Sequence, residues 1–117
     1  MIFTAPPVQD WADVESALTA AFQRAQEAAR DEEAIVFVLG QADLLGQGGA
    51  PGAILANALL SGMRTLAAEG HQANAVAVGA DTDPEDLQHW IGQLQAGRGV
   101  AGELIRVHAK HVGKIQV

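Results

Sequence analysis

The sequence contains no cysteine and no tyrosine. The first absence excludes disulfides, thiol nucleophiles and thiolate metal sites. The second removes every phenolic acid or base. Lysine is nearly missing as well: Lys110 and Lys114 are the only two, both close to the C-terminal end. Five aromatic side chains occur in 117 residues, namely Phe3, Trp11, Phe22, Phe37 and Trp90. A core must then be built from Ala, Val, Leu and Ile, packed at short range around small side chains. Positive charge is scarce, and the net charge of −7 disfavours electrostatic binding to nucleic acid or an anionic membrane. No apolar run reaches the roughly 18 residues that a membrane span needs. The start Met1-Ile2-Phe3 lacks the charged and apolar regions of a signal peptide. One domain, cytoplasmic, with neither nucleic acid nor membrane among its partners, is the expectation.

What is present alternates regularly. Ile2 to Ala5 is a brief apolar strand closed by Pro6-Pro7. Asp10 heads a helical pattern in which Trp11, Val14, Leu18, Ala21, Phe22, Ala25 and Ala28 recur every three or four residues, predicting one buried stripe. The acidic run Asp31-Glu32-Glu33 ends it as a solvated turn. Ala34 to Leu39 is continuous, β-branched and of strand length, like a parallel strand buried on both faces. A glycine-rich loop from Gln41 to Gly52 leads into a helix from Ala53 to Glu69. That helix is apolar almost all round, with a narrow polar strip of Asn57, Ser61, Arg64 and Thr65, and is expected to be covered on two sides. Gln72 to Val78 is the next strand. In Thr82-Asp83-Pro84-Glu85, Thr82 serves as cap, Pro84 sits in the first turn and Glu85 closes a capping box. Leu87, Trp90, Ile91 and Leu94 line the helix that follows, and Glu103 to Val107 is a last short strand before a tail bearing Lys and His. Strands alternating with helices predict an α/β layer fold.

Met63 to Glu69 (MRTLAAE) followed by Gln72 to Gly79 (QANAVAVG) is similar to a recurrent segment of the short-chain dehydrogenase/reductase family. There a helix ending Arg-Ser/Thr-Leu-Ala-x-Glu leads into a strand of Val-Asn-x-Val-x-Pro-Gly type. Arg64, Thr65, Leu66, Ala67 and Glu69 match, then Asn74, Val76 and Gly79; Val78 stands where Pro is usual. Trp11, Val14, Leu18 and Phe22 look like the family's long central helix, and Ile35 to Val38 like the strand that carries its catalytic Ser. Val100-Ala101-Gly102-Glu103 is similar to its Val-Thr-Gly-Gln turn. The resemblance runs over nearly the whole chain and covers the family's C-terminal half. It implies a single truncated domain: a Rossmann-like three-layer half-domain with a mainly parallel sheet of about four strands.

By the same resemblance, counting back from Glu69 puts the family's catalytic Tyr on Gly52 and its Lys on Ala56. The Ser falls near Leu39-Gly40 and the supporting Asn near Ala17. The family's reaction needs a phenol tuned by an adjacent ammonium, so that it protonates a carbonyl oxygen as hydride arrives. A chain without Tyr has no such acid, and its only serines, Ser16 and Ser61, fall within predicted helices. The expectation is a pseudoenzyme with no catalytic residue and no cofactor. It would serve as a structural or regulatory subunit, forming a homodimer or pairing with a complete dehydrogenase.

A second reading stays open. Gly46, Gly48, Gly49 and Gly52 lie between a strand and a helix, where backbone amides cradle phosphates, which suggests nucleotide or small-molecule binding. Against it, Pro51 stands where a dinucleotide turn wants Gly, and no P-loop Lys-Ser/Thr follows. The plain alternative is a mobile loop from Leu45 to Gly52. His108 and His111 stand three residues apart, with Asp43, His71 and His89 scattered elsewhere, so no metal site is expected. On the Ala53 to Glu69 helix, Leu55, Leu59, Gly62 and Leu66 are expected to face the sheet. Ile54, Ala58, Leu60, Met63 and Ala67 then form an apolar interface for a second subunit. The outer edge of the Ile2 to Ala5 strand is the alternative docking site.

Overall fold

The structure, a computed structural model, describes residues 1–107 and 112–114. In chain order the elements are β1 (Ile2–Thr4), α1 (Trp11–Arg30), β2 (Ile35–Gly40), α2 (Gln41–Leu44), α3 (Ala50–Ala68), β3 (Ala73–Val78), α4 (Pro84–Ala96), β4 (Leu104–Val107) and β5 (Val112–Lys114). The sheet follows chain order, with β1 to β4 parallel and β5 antiparallel to β4. The expected parallel sheet of four strands is present; β5 is an addition within the tail, too short to announce itself by periodicity. β2 and β3 hold the centre because their apolar runs tolerate helices on both faces: Ile35 to Leu39 and Ala73 to Ala77 are buried throughout.

Alternate strand residues supply two cores. Phe3, Ile35, Phe37, Leu39, Ala73, Ala75 and Ala77 pack with α1 and α3. Val36, Val38, Val76 and Val107 pack with Ile91 and Leu94 of α4 on the opposite face. Three layers result, as expected. Because the strands run in chain order and in one direction, the crossover through α4 has the opposite hand to those through α1 and α3. About 98% of such crossovers are right-handed, so this sheet contains a connection of the rare hand. No helix among the described residues is long and apolar enough to cross a membrane.

Several local expectations are corrected. Asp10 does cap α1, accepting from Asp13 N at 2.9 Å. The stripe of α1 is narrower than its apolar arc, however. Val14, Ala17, Ala21 and Ala28 are buried, whereas Trp11 and Phe22 are 58% and 64% exposed. The sheet and α3 cover one flank of α1, and the large aromatics fall on the other side. At α4 the cap is Asp83, whose Oδ1 accepts from Glu85 N at 2.8 Å, because Pro84 fits the first helical position. Thr82 Oγ1 instead accepts from Gly79 N at 2.9 Å and donates to Val107 O at 2.7 Å, tying the end of β3 to the end of β4.

The expected loop from Leu45 to Gly52 contracts to a turn over residues 45–49. α3 begins three residues early, with Gly49 as N-cap at φ 95° and Pro51 in its first turn. The turn is tied by Gly46 N to Asp43 O at 3.1 Å and Gln47 N to Ala42 O at 2.8 Å. At the other end of the sheet, the fully buried Asn74 donates Nδ2 to Val100 O at 2.8 Å. Its Oδ1 accepts from Glu103 N at 3.1 Å. Gln72 Nε2 donates to Leu94 O and Gly97 O. Together these two side chains fasten the segment between α4 and β4.

Candidate functional site

Ligands of open α/β sheets gather at the carboxyl ends of the strands. Ala17, Leu39 and Ala56, which the resemblance matches to the supporting Asn, the Ser region and the Lys, all belong to the buried apolar cluster between the sheet and the α1 and α3 helices. Each of these three positions is therefore taken by a buried apolar side chain. Gly52, matched to the Tyr, is buried in the first turn of α3. A Cβ on Gly52 would collide with the carboxylate of Asp43, which also lies against Gly48 and Gly40.

The same carboxylate revises the phosphate-cradle reading. Gly48 and Gly52 leave room for Asp43, while Gly46 and Gly49 are needed at φ 75° and 95°. An anion approaching the amino end of α3 would meet a negative charge already seated beside it. No three His, Asp or Glu side chains among the described residues gather closely enough to hold a metal ion. His89 lies exposed on α4, edge-on to Trp90 at 5.5 Å; His108 and His111 lie outside the described residues.

The outer face of α1 and α3 is chemically different. An apolar groove of 590 Å³ runs between the two helices. Ala21, Ala25 and Ala29 form one wall, Ala58, Gly62 and Leu66 the other, and Phe37 of the sheet the floor. Phe22 stands at its lip. Trp11 lies on the same face of α1, since eleven residues make three turns. Ile54, 49% exposed, extends the apolar surface one turn from Ala58 on α3. The ionisable residues in the lining are Glu69 and His71.

This geometry redraws the expected interface. Ile54 and Ala58 are exposed as predicted, but Leu60 and Met63 are buried at 2% and 0% and belong to the core. Ala67 is half-buried near the turn at Gly102. Gly62, expected to face the sheet, is exposed and lines the groove. The helix is rotated so that Leu55, Ala56, Leu59, Leu60 and Met63 form its inner side. Sequence reasoning placed Phe22 inside; the available signal was an apolar arc on α1 too broad for one neighbouring helix to cover.

No family model matches the chain, and no curated protein matches it. Solved structures do. A crystal structure of a short-chain dehydrogenase from Mycobacterium avium is similar over 99% of this chain and 53% of its own, with a TM-score of 0.72 and 16% sequence identity. The full-length peroxisomal multifunctional enzyme type 2 from Drosophila melanogaster is similar over 90% of this chain and 22% of its own. Its TM-score is 0.59 at 16% identity. The chain spans about half the length of the Mycobacterium avium protein.

Proposed function

We propose that this chain, which carries the fold of the short-chain dehydrogenases, works as a non-catalytic subunit that docks on another protein through the outer face of α1 and α3. The observation that carries the reading is that face itself. It joins an apolar groove to an aromatic ring at 64% exposure, in a chain with five aromatic residues in all. Exposed apolar surface of this kind, continuous across two helices, marks an interaction site.

The non-catalytic half of the reading is supported by the carboxyl ends of the strands. Ala56 and Gly52 offer no ammonium and no phenol, and Asp43 takes the space a side chain at Gly52 would enter. Proton transfer to a carbonyl would need a donor that this apolar cluster does not contain. The test is the native size of the chain in extracts of its own cells, compared between the wild type and Phe22→Glu. Phe22 is exposed in the single chain, so the substitution leaves the fold intact. The wild type is expected in an assembly larger than one chain, and the variant in a smaller one. Identical sizes for the two proteins would refute the reading.

A further inference from the structure

We propose that the free edge of β1 receives an extended segment of a different protein: a strand with an uncharged, β-branched middle and basic residues at both ends. The ladder to β2 shows which backbone groups are on offer. Val36 N donates to Met1 O and Ala5 N donates to Val38 O, each at 2.9 Å, with Ile2, Phe3 and Thr4 opposite Val36, Phe37 and Val38. Successive residues of a strand turn their N–H and C=O groups to opposite sides, so Met1, Phe3 and Ala5 face β2. The N–H and C=O groups of Ile2 and Thr4 therefore point away from the sheet, and among the described residues no strand lies beyond them. The side chains tell the same story. Phe3 is buried with α1 and α3, whereas Ile2 and Thr4 point to the opposite face and are exposed. There the core around α4 includes residues of β2, β3 and β4 and none of β1. Lys, Pro and bulges, which guard natural edges, are all missing from β1; its shortness is its one protection.

Charge selects the occupant. From Ile2 to Gln9 no side chain is charged, but both ends of the edge are acidic. Asp31, Glu32 and Glu33 lead towards β2 beside Met1, whose ammonium lies 3.8 Å from Glu33 and donates to Ala34 O at 2.7 Å. At the far end stand the exposed Asp10 and Asp13, the latter accepting from Gln9 N at 3.0 Å. The nearby cations do not offset them. Arg30 pairs with Asp31 at 3.1 Å, and Arg24 shares its flank of α1 with Asp13 and Glu27. Basic residues on either side of a middle of about four to five residues, roughly 13–17 Å, match that spacing. A second copy of the chain does not fit. α3 packs on β2 and β3, and packed helices lie about 8–10 Å apart, roughly two strand spacings, so α1 stands over β1 and its outer edge. A two-fold axis at that edge would drive two α1 helices into one space and bring the acidic ends together. A single strand instead slides beneath the flank of α1, completes the hydrogen bonds of Ile2 and Thr4, and covers the Ile2 side chain.

The experiment titrates the full, isotopically labelled chain with a synthetic peptide of alternating valine and threonine flanked by two lysines at each end. Two-dimensional NMR is expected to show saturable shifts of the Ile2 and Thr4 amides, with their hydrogen exchange slowed at least about tenfold at saturation. The same peptide with glutamates for lysines should bind at least about tenfold more weakly at low salt, and the difference should shrink as salt is added. Thr4→Pro removes an outward N–H without touching the bonds to β2, and should weaken the lysine peptide about tenfold. Ile2→Lys alters an exposed side chain and sets an ammonium on the edge. It should also weaken the lysine peptide and narrow its advantage over the glutamate one, and it keeps the test decisive should Thr4→Pro fail to fold. The proposal is overturned by an absence of shifts at Ile2 and Thr4, by equal binding of the two peptides at low salt, or by insensitivity to Ile2→Lys. A dimeric wild type whose Ile2 and Thr4 amides are protected before any peptide is added would give the edge to a second copy, and overturns it too. None of these readouts involves the α1–α3 groove, so failure here leaves the docking face standing.

Discussion

Replacing Asn74 tests how the crossover of unusual hand is held. Its carboxamide is fully buried in β3 and makes two hydrogen bonds to the segment that delivers β4, one to Val100 O and one from Glu103 N. In Asn74→Ala the Glu103 amide loses its acceptor in a half-buried place, while the Val100 carbonyl, on an exposed residue, regains water. One orphaned donor costs about 1–3 kcal/mol, and a small void adds to it, so a loss of about 2–3 kcal/mol is expected. Urea unfolding followed by far-ultraviolet circular dichroism measures it, with an unchanged slope showing that the same surface unfolds. Asn74→Asp sharpens the reasoning. The introduced carboxylate still accepts from Glu103 N but faces the Val100 carbonyl as a second acceptor, and it is a buried charge. At pH 7 it should cost at least as much as the alanine. Burial raises the folded-state pKa of that carboxyl above its unfolded value of about 3.9. The favourable contribution of the protonated form is therefore complete below the unfolded pKa and is lost as pH rises through the folded one. The deficit relative to wild type should narrow between pH 7 and pH 5. A cost below about 0.5 kcal/mol for the alanine variant, or a deficit that widens on acidification, would refute the reasoning.

Three further predictions follow from the same structure. Gly52→Ala should destabilise the wild type, because its Cβ displaces the Asp43 carboxylate; in an Asp43→Ala background it should stabilise by up to about 1 kcal/mol, the helix preference of Ala over Gly, so the double-mutant cycle changes sign. Met63→Ala should cost about 2–5 kcal/mol in urea unfolding, as for a side chain in the core; a value near zero would return Met63 to the surface. Calorimetric titration with the four nicotinamide dinucleotides should show no binding in the low micromolar range, about −8 kcal/mol, and a clear isotherm would revive the reading of Gly46, Gly48, Gly49 and Gly52 as a cradle.

The α/β alternation and three-layer fold were legible because β2 and β3 are unbroken apolar runs and the helices carry clear caps at Asp10 and in the Asp83-Pro84 pair. Asn74 was legible as part of a motif, and the structure supplies the reason: a buried amide in a strand needs a partner, and here the partner is the next crossover. Two kinds of feature were hidden. The rotation of α3 was one, because a helix apolar on nearly every side gives no phase, and Leu60 and Met63 look as available as Ile54 and Ala58. The role of the glycines around residue 50 was the other. A sequence shows that Cβ atoms are missing but not that the Asp43 carboxylate occupies the vacated space. Phe22 belongs with the first case: aromatic character predicts burial but does not say which chain supplies it.

The central claim is that Phe22 is covered in the native protein although the single chain exposes it. Hydroxyl-radical footprinting of the protein as isolated from its own cells measures this directly, with the exposed His89 of α4 as internal standard. The account predicts that Phe22 oxidises several-fold more slowly, relative to His89, in the wild type than in Gly62→Leu, whose groove is filled. Equal relative rates in the two proteins, at the level of an exposed phenylalanine, would contradict it.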